Sequence, residues 1–273
     1  MRIWIIAAVT GIMAYAGFVA FKGPDNNGDK EKLILKAVLT MMQQVHFKNP
    51  PLDDNFSHRL YDTYMDRLDG MKRFLIMEDL DLLDDYQDSL DDQIRTDDLK
   101  FFEISYKLIN NSIEKTRKWY PELLSQPFDF TIKDSIETDG EKRSYAKDDA
   151  ELKEFWRSYL KYETLTRLSD KIKEQETATE VPEGGKKSVA ELEADARKDV
   201  LEVFDEWYER MDKVRRSDRF EMYVNSITNV YDPHSDYFNP KEKEDFDINM
   251  SGRLEGIGAR LQMDGDFTKV VAI

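Results

Sequence analysis

Three histidines, no cysteine and a large excess of acids leave few places in this chain where chemistry can gather. The densest is Tyr231-Asp232-Pro233-His234-Ser235-Asp236-Tyr237-Phe238-Asn239-Pro240, where an imidazole stands between two carboxylates. Such a histidine can ligate a metal or shuttle a proton. His46 and His58, however, lie at no ligand spacing from it, and Pro233 and Pro240 with Asp and Ser side chains that bond the backbone describe a rigid turn. The turn accounts better for the whole run, and no metal site is expected. A second candidate is Leu254-Glu255-Gly256-Ile257-Gly258-Ala259-Arg260-Leu261, whose glycines permit close backbone approach. It fits neither a phosphate loop nor a dinucleotide fingerprint, because the third glycine and a following helix are missing. A third is the Asp-rich stretch Glu78 to Asp98, since hard cations favour clustered carboxylates. It lacks a D-x-D-x-D-G loop. Leu80, Leu83, Tyr86, Leu90 and Ile94 recur through it at intervals of three or four, which puts the acids on the solvent face of an amphipathic helix.

Composition narrows the partners. With 56 acidic against 40 basic residues, the net charge of −16 argues against nucleic acid or anionic head groups, both of which require a basic face. The absence of cysteine excludes disulfides, a thiolate nucleophile, a Cys-ligated metal and a lipidated N-terminal Cys. No cofactor is expected. At 273 residues and 40% hydrophobic, the chain can bury a sizeable core.

The elements that must position these residues are mostly helices. Ile3 to Phe21 is an apolar run that predicts a cleaved signal peptide or a retained membrane anchor, over residues 1–22, and a polar linker follows over 23–29. Leu33, Leu35, Val38, Leu39, Met42 and Val45 then mark a helix that Pro50-Pro51 interrupts. Leu60, Tyr64 and Leu68 mark a second, stopped by Gly70 as a C-terminal cap. Thr96 reads as the N-cap of a long helix from Leu99 to Tyr120, closed by Pro121. Phe128 to Ile132 alternates like a short strand, and Asp139-Gly140 marks a turn. A helix from about Lys147 to Glu174 carries Leu152, Phe155, Trp156, Tyr159 and Leu160; one from Ser188 to Met211 carries Leu192, Ala196, Val200, Val203, Phe204 and Trp207. Ser217 or Asp218 caps the last, which buries Phe220, Tyr223, Val224, Ile227 and Val230.

After Lys241 to Asn249 the pattern changes to short strand-like runs with several glycines, and a new domain is expected. The fold class is therefore mainly α: a hydrophobic N-terminal helix, a multi-helix domain over 30–240, and first β-strands over 241–273. The last apolar run follows an Asp264-Gly265 turn with no further strands to complete a sheet, so the sequence looks truncated.

Two words carry a family resemblance. Asp232 to Pro240 resembles a D-P-H-[ST]-x-Y-x-x-P run, and Gly256 to Leu261 a G-I-G-A-x-L strand, found in that order where the helical domain meets the PDZ domain of the tail-specific proteases, also called carboxyl-terminal processing peptidases. Leu60 to Leu80 is similar to an early helical segment of that family, departing from it at Met65 and Phe74. Phe155-Trp156-Arg157 and Leu160-Lys161-Tyr162-Glu163 resemble its W-R-x-x-x-K-x-E-x-L segment more loosely.

The resemblance implies the N-terminal part of an exported serine endopeptidase with a Ser/Lys dyad, which recognises proteins through their C-termini. Glu255, Gly256, Ile257, Gly258 and Ala259 would be the PDZ loop whose amides capture a terminal carboxylate while the peptide adds as a strand. No S-A-S-A-S-E-like word occurs, so no catalytic residue is assigned and the dyad is expected beyond Ile273. The implied partners are substrates with free, apolar C-termini, an adaptor protein and the membrane, through residues 1–22. The implied location is the periplasmic side of the inner membrane. The competing reading is a non-catalytic, membrane-anchored helical interaction module.

Overall fold

The computed structural model describes residues 27–178, 185–252, 258–264 and 267–272. The apolar segment 1–22 lies outside them, and among the described residues no helix is long and apolar enough to cross a membrane. The chain divides into two units, one reaching to Asp236 and one from Tyr237 onward.

In the first unit the helices are α1 (Asn27–Val45), α2 (Asp54–Asp69), α3 (Met77–Asp84), α4 (Leu90–Arg95) and α5 (Lys100–Arg117). They continue as α6 (Trp119–Leu124), α7 (Asp149–Thr177), α8 (Val189–Asp212) and α9 (Arg216–Tyr231). Side-chain oxygens begin several of them by taking amides that have no intrahelical acceptor. Asp53 accepts from the Phe56 amide at 3.0 Å and Asp148 from that of Glu151 at 2.9 Å. Ser188 and Glu191 cap α8 reciprocally.

Two aromatic clusters form the core. α2 and α9 pack together with α1 and α5 alongside, and Tyr223 meets Tyr64 at 5.2 Å and Phe102 at 5.6 Å between ring centroids. α7 and α8 lie along one another with α6 against both, and the fully buried Trp156 meets Phe204, Trp207 and Tyr208 at 5.7, 6.3 and 6.4 Å. Burying a side chain of this size contributes about 1.5–3 kcal/mol. Phe74 joins α2's far end to the second cluster by stacking on Trp207.

Several local expectations fail, most of them where a polar side chain bonds differently. Glu78 to Asp98 is not one helix: α3 and α4 are separated by turns at 85–89, and Asp91 is buried, accepting from Ser57 Oγ at 2.8 Å and pairing with Arg95 at 2.9 Å. Ser and Asp compete for local bonds and break helices. Thr96 closes α4, its hydroxyl donating to the Asp92 carbonyl at 2.8 Å, while Asp97 takes a left-handed φ of 56° and Leu99 precedes α5. Pro121 does not end a helix; it sits in the first turn of α6, where its missing N–H has no intrahelical acceptor to lose. Phe128 to Ile132 is no strand, because the Asp129 carboxylate draws the Thr131 amide and hydroxyl into a turn. Arg215, not Ser217 or Asp218, is the N-cap of α9, and Asp218 accepts from its amide at 2.9 Å. Val45 and Val203 are exposed. Gly70 does cap the end of α2, as expected, in a right-handed conformation. Its neighbour in space is Gly140, where a Cβ would lie 2.9 Å from the Met71 Cα, so the two backbones meet where no side chain fits.

In the second unit Asn239 caps α10 (Pro240–Ser251) by accepting from the Lys241 and Glu242 amides at 3.0 and 3.1 Å, and Gly252 ends it at φ 63°. None of α10's residues is buried; Phe238 and Phe246 meet at 5.4 Å. β1 (Arg260–Asp264) pairs antiparallel with β2 (Phe267–Ala272), Leu261 opposite Val270, with an irregularity between Arg260 and Leu261.

Candidate functional site

Of the expected peptide-binding residues, Glu255, Gly256 and Ile257 lie outside the described residues. Gly258 is described, in the left-handed region at φ 70°, followed by half-buried Ala259 and then β1. A φ in the left-handed region is one that glycine adopts without the strain a side chain would bring. Among the described residues β1 pairs only with β2, so each strand has an unpaired edge. Leu261, Val270 and Val271 are about half exposed.

The acidic and histidine-bearing turn is now placed in detail. Asp232 Oδ1 accepts from the His234 amide at 2.9 Å and lies 3.1 Å from its Nδ1, and these contacts, the backbone one first, hold the Asp232 carboxyl below the usual carboxylate range. His234 itself points to solvent, its side chain 90% exposed. No group of three or more His, Asp or Glu among the described residues is disposed to hold a metal.

A relationship that spacing along the chain conceals is the one between this turn and the end of α1. His46 Nε2 lies 3.1 Å from Ser235 Oγ, and His46 Nδ1 lies 2.6 Å from the Lys48 carbonyl oxygen. The Lys48 N–H also donates to Nδ1 at 3.1 Å, so the ring is held between Lys48 and the Ser235 hydroxyl by contacts that either tautomer can make. A serine, a base and an orienting group in this order suggest nucleophilic chemistry. The surrounding amides argue otherwise. The Ser235 N–H already donates to the Asp232 carbonyl at 3.0 Å and the His234 N–H to the Asp232 carboxylate, so these two amides are not available to an oxyanion. Asn229 Nδ2 donates to the Ser235 carbonyl at 2.8 Å, and Arg67 in turn donates to Asn229 Oδ1. The Arg59 guanidinium donates to the Val230 carbonyl. The whole arrangement is a clamp that fastens the turn after α9 to α1 and α2.

Lys161, the buried lysine, is likewise committed: its ammonium donates to Asp134 at 2.7 Å and to the Ile132 carbonyl at 3.0 Å.

Comparison with known proteins sets these elements in a family. Residues 38–241 match the model of the tail specific protease N-terminal domain. Over 240 residues the chain is 25% identical to the Tail-specific protease of Haemophilus influenzae, a match that covers 87% of this chain and 32% of that relative. The chain thus spans about a third of the length of the curated relative it matches.

Proposed function

The chain belongs to the tail-specific protease family, whose N-terminal domain it carries over residues 38–241, and from that premise we propose that it serves substrate recognition in an exported serine endopeptidase that acts on proteins through their C-termini. The observation that carries the reading is the order of its parts. A helical domain of the family is followed by Gly258 at φ 70° and a two-stranded sheet with open edges. A peptide terminus that meets backbone amides and an unpaired edge can add as a strand, with main-chain bonds for affinity and alternate side chains for specificity. In this proposal Glu255 to Ala259 take the terminal carboxylate, and the helical unit holds the body of the substrate and docks an adaptor. Residues 1–22 keep the protein at the periplasmic face of the inner membrane. The Ser/Lys chemistry belongs to the length of the family's chain that these residues do not span.

The test is a pull-down on two peptides that differ only in a free or amidated C-terminus and end in apolar residues. Retention of the free form alone is expected, and equal retention of both overturns the peptide-end assignment. The same chain, incubated with an unstructured protein bearing such a terminus, is expected not to hydrolyse it. Hydrolysis lost on Ser235→Ala would turn the His46 clamp into a catalytic pair and overturn this reading.

A further inference from the structure

α1 carries more apolar surface than the helical unit buries. Its inward face is Glu31, Leu35, Leu39 and Met42, all buried, with Glu31 paired to Arg216 at 2.6 Å. A second stripe, Ile34, Val38, Met41 and Val45, runs beside the first, about 100° around the helix. Ile34 and Val38 are half-buried, whereas Met41 is 39% exposed, Val45 64%, and Phe47, just past the helix, 99%. The stripe is spaced four, three and four residues apart, the spacing of the a and d positions of a helix that packs on another helix. Scattered apolar side chains on a surface are ordinary, but a continuous seam of them on one helix marks a contact.

The charge along α1 decides what that contact meets. In a chain that is 35% charged, Leu33 to Val45 hold one charged residue, Lys36, and it pairs with Asp97 at 3.5 Å. The positions that flank the seam, Leu35, Ala37, Met42 and Gln44, are uncharged, so nothing on them selects an acidic or a basic partner. Two copies of a chain with net charge −16 repel one another over most of their surface, and an uncharged strip is where that repulsion is least. The spacing also reads the same in both directions. A two-fold axis therefore sets Ile34 against Val45 and Val38 against Met41, the self-complementary form of a dimer contact. Helices that run antiparallel also oppose their macrodipoles favourably.

We propose that the Ile34, Val38, Met41 and Val45 face of α1 pairs with the same face of a second copy of this chain, the two helices running antiparallel. Phe47 then extends past the seam to lie beside Lys32 of the other copy, where a ring face attracts an ammonium. A seam of three turns, about 18 Å long, offers less than the roughly 1,200 Å² that lasting complexes bury, so the dimer is transient. The proposal involves no residue of the strand-addition reading, and each stands without the other.

Sedimentation equilibrium of the full chain, from micromolar to near-millimolar concentration, tests it. Val45 is exposed, so Val45→Glu charges the seam without entering the core. The average mass is expected to rise with concentration towards that of two chains, and to stay at one chain in Val45→Glu. A mass that stays at one chain throughout, or that rises equally in Val45→Glu, overturns the proposal. Direction is read by oxidation, since the chain has no cysteine of its own. A mixture of the Val38→Cys and Met41→Cys chains should form disulfide-linked dimers several-fold faster than either chain alone, because the antiparallel register brings those two positions together. Linking no faster in the mixture than in the single variants also overturns it.

Discussion

His46 Nε2 and Ser235 Oγ, 189 residues apart in the chain, stand 3.1 Å from each other and tie the end of α1 to the turn that follows α9. The helices α2 and α9, which lie between them in the sequence, are themselves joined through Arg67 and Arg59. What separates the two residues in sequence is therefore the helical unit itself, and the bond closes it.

If the clamp is structural, His46→Ala and Ser235→Ala should each lower stability by about 0.5–1.5 kcal/mol, and the double substitution by less than their sum. Urea unfolding of the four proteins measures the coupling. Strict additivity would mean that the pair contributes nothing to the folded state.

Asp69 accepts from the amides of Arg73, Phe74 and Leu75 at 2.8, 3.0 and 2.9 Å, yet it is 4% exposed and burial pushes its carboxyl up to about 6. A carboxyl raised above its unfolded value favours folding while protonated, so its contribution is present below the unfolded pKa and is lost as pH rises through about 6. A shift of this size is worth roughly 3 kcal/mol. The fall in the urea midpoint between acid and neutral pH should be shallower in Asp69→Asn than in the parent chain. Parallel profiles would show that the three amides, and not burial, decide the protonation of Asp69.

Trp156 offers a separable test of packing and polarity, since its indole N–H donates to the Arg73 carbonyl at 2.9 Å from within the second aromatic cluster. Trp156→Ala should cost about 3–5 kcal/mol through the cavity it leaves. Trp156→Phe keeps much of the ring and should cost about 1–3 kcal/mol, chiefly from the orphaned carbonyl. Thermal unfolding that ranks the two equally would remove the hydrogen bond from the account.

The strands β1 and β2 expose most of their side chains, whereas α7 and α8 around Trp156 are held by a buried aromatic cluster. Amide exchange should accordingly be fast in 258–272 and slow in the helices, because opening energy follows buried apolar contact. Equal protection would require a packing partner for the strands.

Where the side-chain pattern repeats, the sequence alone determined the outcome. The stripe Phe220, Tyr223, Val224, Ile227 and Val230 is buried throughout, and Ser188 begins α8 as its type and position require, because apolar spacing and capping act within a few residues. The family word at Asp232 to Pro240, which lies within the matched residues 38–241, was likewise legible without coordinates. Only the tertiary structure decided which polar groups turn inward. Asp91 bonds Ser57 instead of water, Thr96 closes one helix instead of opening the next, and His46 finds Ser235. The reason is that a hydrogen bond or ion pair is satisfied by any group brought within about 3 Å, and that proximity is set by how helices pack rather than by any period in the chain.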